Sequence, residues 1–174
     1  MSGDSGSFFG LGGVPLNEEI VESSILSFRA RIGREDFWRR SIVIGALAFA
    51  AGFIIGSLVN ANTATEESAQ HLTALLTMPL DIAFGLFLFA THVKRWHDLN
   101  YSGWISLINF VPQAAYLLTK TLPHHLLYNL GLHKPERDAI EIATIVLSLF
   151  VLIFLGFIKG TKGPNRFGAD PVNE

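Results

Sequence analysis

Twelve residues, Val93-Lys94-Arg95-Trp96-His97-Asp98-Leu99-Asn100-Tyr101-Ser102-Gly103-Trp104, pack both charge signs, an imidazole and two tryptophans between apolar stretches. A carboxylate beside an imidazole is the raw material of general-base catalysis, because it can orient the ring and raise its basicity. Adjacent helical residues do not face each other, however. No serine or cysteine is joined to His97 by a nucleophile motif. The pair therefore reads as part of a structural charge network, and no catalytic residue is expected.

Metal chemistry finds equally little support. Without cysteine there are no thiolate ligands, and His71, His92, His97, His124, His125 and His133 form no ligand pair on one helical face with an acidic third. Haem shared by His71 and His97 fails on distance, since 26 helical residues rise about 39 Å. No metal or cofactor is expected. The glycines after Lys159 could form an anion-binding backbone nest, with Lys159, Lys162 and Arg166 supplying charge. They do not match a phosphate-binding loop.

These groups must be positioned by elements unlike those of a soluble domain. The chain has 174 residues, 49% hydrophobic and 16% charged, with the apolar residues in blocks near the length that crosses a bilayer as a helix. Its net charge of −2 favours no nucleic-acid partner. Met1 to Gly13 is Gly- and Ser-rich with no basic start or adjoining apolar core, which does not fit a signal peptide. Pro15 to Phe28 reads as an amphipathic helix, with Asn17 as N-cap and Leu16, Ile20 and Ile25 as its apolar stripe. Residues 1–28 are accordingly a tail, and residues 29–174 a membrane domain.

The first span, residues 41–59, holds ten Ile, Leu, Val or Phe residues and no charge. Its insertion is favourable by about 3 to 6 kcal/mol. Ser41, Gly45, Ala48, Gly52 and Gly56 recur along it as a smooth helix-packing face. The second span has two possible registers. Over residues 72–93 it would place Asp81 at mid-bilayer, where an acid costs about 2.5 to 3.5 kcal/mol and is a functional candidate by default. Over residues 77–95, the preferred register, Pro79 and Asp81 fall in the first turn, near water. Thr63-Ala64-Thr65-Glu66 would then cap a separate surface helix whose Leu72, Leu75 and Leu76 touch the membrane.

The third span, residues 104–120, is interrupted by Asn109, Pro112 and Gln113 and reads as a kinked helix covered by its neighbours. Leu122 to Tyr128 lies flat at the interface, and the fourth span, residues 139–158, holds fourteen Ile, Leu, Val or Phe residues. Ten basic residues, Arg29, Arg31, Arg34, Arg39 and Arg40, then Lys94 and Arg95, then Lys159, Lys162 and Arg166, fall on one side. The other side has only Lys120, Lys134 and Arg137. This asymmetry places both termini in the cytoplasm. The expected fold is all-α, with four transmembrane helices, both termini cytoplasmic and short amphipathic interfacial helices.

Three polar clusters then meet on one face. They are "GREDFW" at Gly33 to Trp38, "KRWHDLNYSGW" at Lys94 to Trp104, and "KGTKGPNRFGADP" at Lys159 to Pro171. In this order, spaced by apolar spans, they resemble the small bacterial inner-membrane proteins of domain-of-unknown-function family 805, over Arg31 to Pro171. Ile105 stands where that family's pattern has a second aromatic residue. The resemblance implies bacterial inner-membrane location and multi-pass architecture.

The expected role is that of a non-enzymatic accessory or scaffold subunit of a larger membrane complex, with protein partners and membrane lipids, anionic ones included. The alternative is a small transporter or channel component using Asp81 and the broken third span. Arg31, Arg34, Lys94, Arg95, His97, Asp98, Lys162, Asn165 and Arg166 are the expected structural cluster or lipid contact. Trp38, Trp96 and Trp104 are the expected interface anchors, and Arg95, His97 and Asp98 are expected to fasten the second and third spans to the Arg34 and Arg166 regions.

Overall fold

In the computed structural model, which describes residues 28–171, the regular structure is helical, and the only bridge between extended residues joins Asn165 to Gly168. Helix α1 spans Arg34–Asn62 and α2 spans Glu66–Asp98. A 3₁₀ turn, Gly103–Ser106, leads into α3, Leu107–Thr121. The short α4, His124–Asn129, and the long α5, Lys134–Phe157, complete the order. The expected helix over Pro15 to Phe28 lies almost wholly outside the described residues.

By length and composition α1, α2 and α5 are able to cross a membrane. Their apolar faces point outward, with Phe49, Phe53, Ile42, Val146 and Phe150 all exposed. A belt of that extent needs hydrocarbon or another protein against it. The small buried core sits at one end, where Ile32, Phe37, Trp96, Leu99, Val151 and Leu155 pack together.

The expected break between a surface helix and the second span is corrected. Thr65 does cap a helix, accepting from the Ser68 amide at 3.4 Å, but that helix runs unbroken for 33 residues through Pro79 to Asp98. No separate surface helix precedes it. Phe37 lies against His92, with ring centroids 5.6 Å apart, and a Cβ on Gly56 would meet the Thr73 methyl at 3.7 Å. Nineteen residues separate the members of these contacts on each helix, so α1 and α2 run antiparallel and in step. Asp81, eleven residues before His92, therefore lies level with Ala48, near the centre of the apolar run of α1.

The long antiparallel pair also fixes the path of α3. Its 3₁₀ lead-in packs against Val93 and His97 at one end of α2, and its last residue, Thr121, offers its carbonyl to His71 Nε2 (3.2 Å) at the other. The helix thus traverses the bundle between α2 and α5. Pro112 sits within it without ending it.

The chain has no cysteine, so engineered pairs test the register cleanly. Gly56→Cys with Thr73→Cys should close a disulfide under mild oxidation and lose reactivity toward a polymer maleimide. Gly56→Cys with Leu80→Cys, displaced about 10 Å along the axis, should stay reactive. The reverse pattern would overturn the pairing.

Candidate functional site

The polar cluster is organised by Asp98, the last residue of α2. Its Oδ1 accepts from Arg31 Nε (3.0 Å) and Nη2 (2.8 Å), and its Oδ2 accepts from Arg95 Nη1. All three side chains are buried. Ion pairs removed from water at this level survive only when every remaining donor is satisfied. That condition is met by backbone carbonyls.

Arg31 donates to the carbonyls of Thr161 (2.6 Å) and Gly163 (2.7 Å). Arg95 donates through Nε to Leu155 (2.9 Å), through Nη1 to Ile32 (3.1 Å) and through Nη2 to Ile158. Leu155 and Ile158 lie at the C-terminal end of α5, whose last turn contains no basic residue. Arg95 therefore reaches across from α2 to satisfy carbonyls that the helix leaves open, and places its charge at the negative end of the dipole.

The end of α2 is shaped for this role. Asn100, at φ 62°, ends the helix, its amide donating to His97 and that of Tyr101 to Trp96, both at 2.9 Å. These bonds form the Schellman pattern, with asparagine in the left-handed position. The Thr161 amide and hydroxyl both donate to the Asp98 carbonyl at 2.9 Å. Gly160 follows from that approach, because a Cβ there would collide with the Asp98 carboxylate. Gly156 is required in the same way, since its missing side chain admits the Trp38 indole, whose Nε1 donates to the Gly156 carbonyl (3.1 Å).

His97 points elsewhere. Its ring stacks on Phe167 with centroids 3.9 Å apart, and its Nδ1 lies 3.3 Å from the Ala30 carbonyl. Asn165 donates to the His97 carbonyl (2.9 Å), and Arg166 donates to the Asn100 carbonyl (3.1 Å) while covering Phe167. The Asp98 carboxylate and the His97 ring thus have separate partners. Both Asp98 oxygens are already engaged.

Several expected placements change. Within the segment around Arg34, the guanidinium that meets Asp98 is that of Arg31. Arg31, Lys94, Arg95, His97 and Asp98 are buried, so of the residues expected to contact lipid only Lys162 and Arg166 are fully exposed at this end. Trp96 is no interface anchor, because it packs in the core against Phe154. Trp38 is half-buried on Gly156, which leaves Trp104 as the exposed member of the three. The nest after Lys159 is closed by the chain itself, since the Gly163 amide donates to Asp170 (2.5 Å) and that of Gly168 to Asn165 (3.1 Å).

Of the small residues on α1, Gly56 approaches α2, whereas Gly45 and Gly52 face open space and Ala48 is half-buried. Asp81 is exposed and forms no hydrogen bond or ion pair among the described residues. No cluster of three His, Cys, Asp or Glu suited to a metal ion occurs among them either. Sequence reasoning missed the backbone carbonyls, Thr161, Gly156 and Gly160. Only the glycines in "KGTKG" gave any sign of a close approach.

The three clusters in this arrangement span the region matched by one family profile, "Protein of unknown function (DUF805)", over residues 25–169. The chain belongs to the DUF805 family. It is also 32% identical over 155 residues to "Uncharacterized protein YiiR" of Escherichia coli strain K12, covering 86% of this chain and 89% of the relative. The YiiR protein of strain O157:H7 matches to the same extent. No solved structure matches significantly.

Removing Asp98 takes the shared carboxylate from two buried guanidiniums and leaves Arg31 with the more exposed Asp170 at 3.6 Å. Asp98→Ala should cost about 3 to 5 kcal/mol in denaturant unfolding in detergent. Arg39→Ala, which removes an exposed pair with Asp36, should cost no more than about 1 kcal/mol. Equal losses would show that the cluster does not hold the fold.

Proposed function

We propose that this DUF805 protein is a non-catalytic accessory subunit of the bacterial inner membrane that docks another membrane protein through the Asp81 face of α2. The observation that carries this reading is the exposed, unpaired carboxyl of Asp81 at the level of Ala48. At that depth an acid costs about 2.5 to 3.5 kcal/mol, and such residues normally meet a partner or a water-filled path. Leu80 and Ile82 beside it are also exposed. The complementary partner is a transmembrane helix carrying a basic or hydrogen-bond-donating side chain.

In this reading the bundle crosses the membrane four times. The 3₁₀ turn and α3 together extend about 30 Å, the thickness of the hydrocarbon core. Both termini lie in the cytoplasm, on the side of the ten basic residues. Exposed Lys159, Lys162 and Arg166 there would attract anionic lipid by about 1 kcal/mol each. The transport alternative draws no support from the cavities bordered by Gly56, Phe28, Ala139, Gln70 and Ser41, all of which are lined without Asp81.

Two measurements test this reading. In mild detergent the wild-type chain should be recovered with a stoichiometric membrane partner, and Asp81→Leu should be recovered alone with an unchanged melting temperature. A wild-type monomer without partner would overturn the subunit assignment. For orientation, an impermeant thiol reagent applied outside should label Asn62→Cys and spare Lys162→Cys, and the opposite pattern would invert the topology.

A further inference from the structure

We infer that the protein binds an uncharged, membrane-soluble lipid whose carbonyl or hydroxyl headgroup enters a mainly apolar cavity, with a few polar groups in its wall, between α1, α2, α3 and α5. The cavity has a volume of about 350 Å³. Its wall includes Ser41, His92, Asn109, Gln113 and Ser148 and no Asp, Glu, Lys or Arg. An apolar cavity that holds a few unpaired polar groups within the outward-facing belt suits an amphipathic occupant, because leaving such groups unsatisfied is costly.

The lining groups are unevenly satisfied. Ser148 Oγ accepts from Gln113 Nε2 (3.1 Å) and lies 3.1 Å from Asn109 Oδ1 and 2.7 Å from the Thr144 carbonyl. This closes one side of the wall. On the other, His92 Nδ1 and Ser41 Oγ are buried and have no hydrogen-bond partner. The His92 side chain is held between Phe37 and Phe110, at centroid distances of 5.6 and 5.3 Å. Ser41 Oγ can donate or accept, and His92 Nδ1 does one or the other according to its tautomer, so a carbonyl or hydroxyl headgroup matches them. With no cation in the wall, a phosphate headgroup would enter without charge compensation.

The route of entry is lateral. Gly45, Ala46, Ile42 and Leu149 border the cavity and are exposed on the outer surface, so it opens toward the acyl chains. A Cβ on Gly45 would meet nothing within 4 Å. That position is therefore the gap through which a headgroup passes while its apolar tail stays in the bilayer. A lipoquinone and a neutral glycerolipid share the required chemistry.

Native mass spectrometry in mild detergent separates these outcomes, with decylubiquinone and dioctanoylglycerol as the two neutral probes and dioctanoyl phosphatidylglycerol as the charged one. A saturable one-to-one adduct with a neutral probe is expected, and the probe that binds identifies the source. Binding should weaken about tenfold in His92→Phe, the effect of losing one buried hydrogen-bonding group. Gly45→Leu should abolish it by closing the mouth while leaving the melting temperature unchanged. No saturable neutral adduct, as for a cavity that holds water alone, would overturn the inference. So would binding unaffected by Gly45→Leu, or equal affinity for the phosphatidylglycerol.

Discussion

A carboxylate buried between two guanidiniums sets the arrangement of this bundle. Asp98, Arg31 and Arg95 sit where the C-terminal ends of α2 and α5 meet, and the more exposed Asp170 adds a second carboxylate 3.6 Å from Arg31. Those two ends also present partial negative charges. The arginines are therefore met by helix dipoles and open carbonyls as well as by carboxylates. A buried ion pair alone is weak evidence for stability. Its structural consequence here is to tie both arginines to the α5 end and the following Gly-rich segment through the carbonyls of Leu155, Ile158, Thr161 and Gly163.

That placement propagates through the chain. The start of α1, the end of α2 and the end of α5 are tied together through Ile32, Asp98 and Leu155. The beginning of α5 must then lie at the far end, so the segment between Asp98 and Lys134 has to travel the length of the bundle. Helix α3 makes that passage despite Asn109, Pro112 and Gln113. Its polar residues face α5 and the cavity, where Ser148 supplies partners. The same residues that make α3 a poor isolated membrane segment supply polar groups to the cavity wall.

The bundle is firm at one end and open along its sides. Close packing is concentrated around Phe37, Trp96 and Leu155, while the glycines midway along α1 leave space. Small residues normally let helices approach closely. Here Gly56 does so, and Gly45 instead leaves a lateral opening. Asp81 lies exposed on the same outward-facing side of the bundle.

Composition alone determined that this is a helical membrane protein, because runs of apolar residues with few charges have no other stable solution in water. The three polar motifs determined the family and drew attention to Asp98, Arg95 and Asn165. Helix extent at Pro79 was not legible, since a proline can sit in a first turn or mid-helix with the same local sequence. The depth of Asp81 depended on pairing with α1, and Trp96 could not be told from an interface anchor until its neighbours were known. Which guanidinium of the segment around Arg34 meets Asp98 was settled only by the fold, where Arg31 follows a left-handed turn at Ala30, φ 73°. Sequence records which groups are costly to leave unpaired, whereas only the tertiary structure decides which carbonyls, helix ends and cavities are close enough to satisfy them.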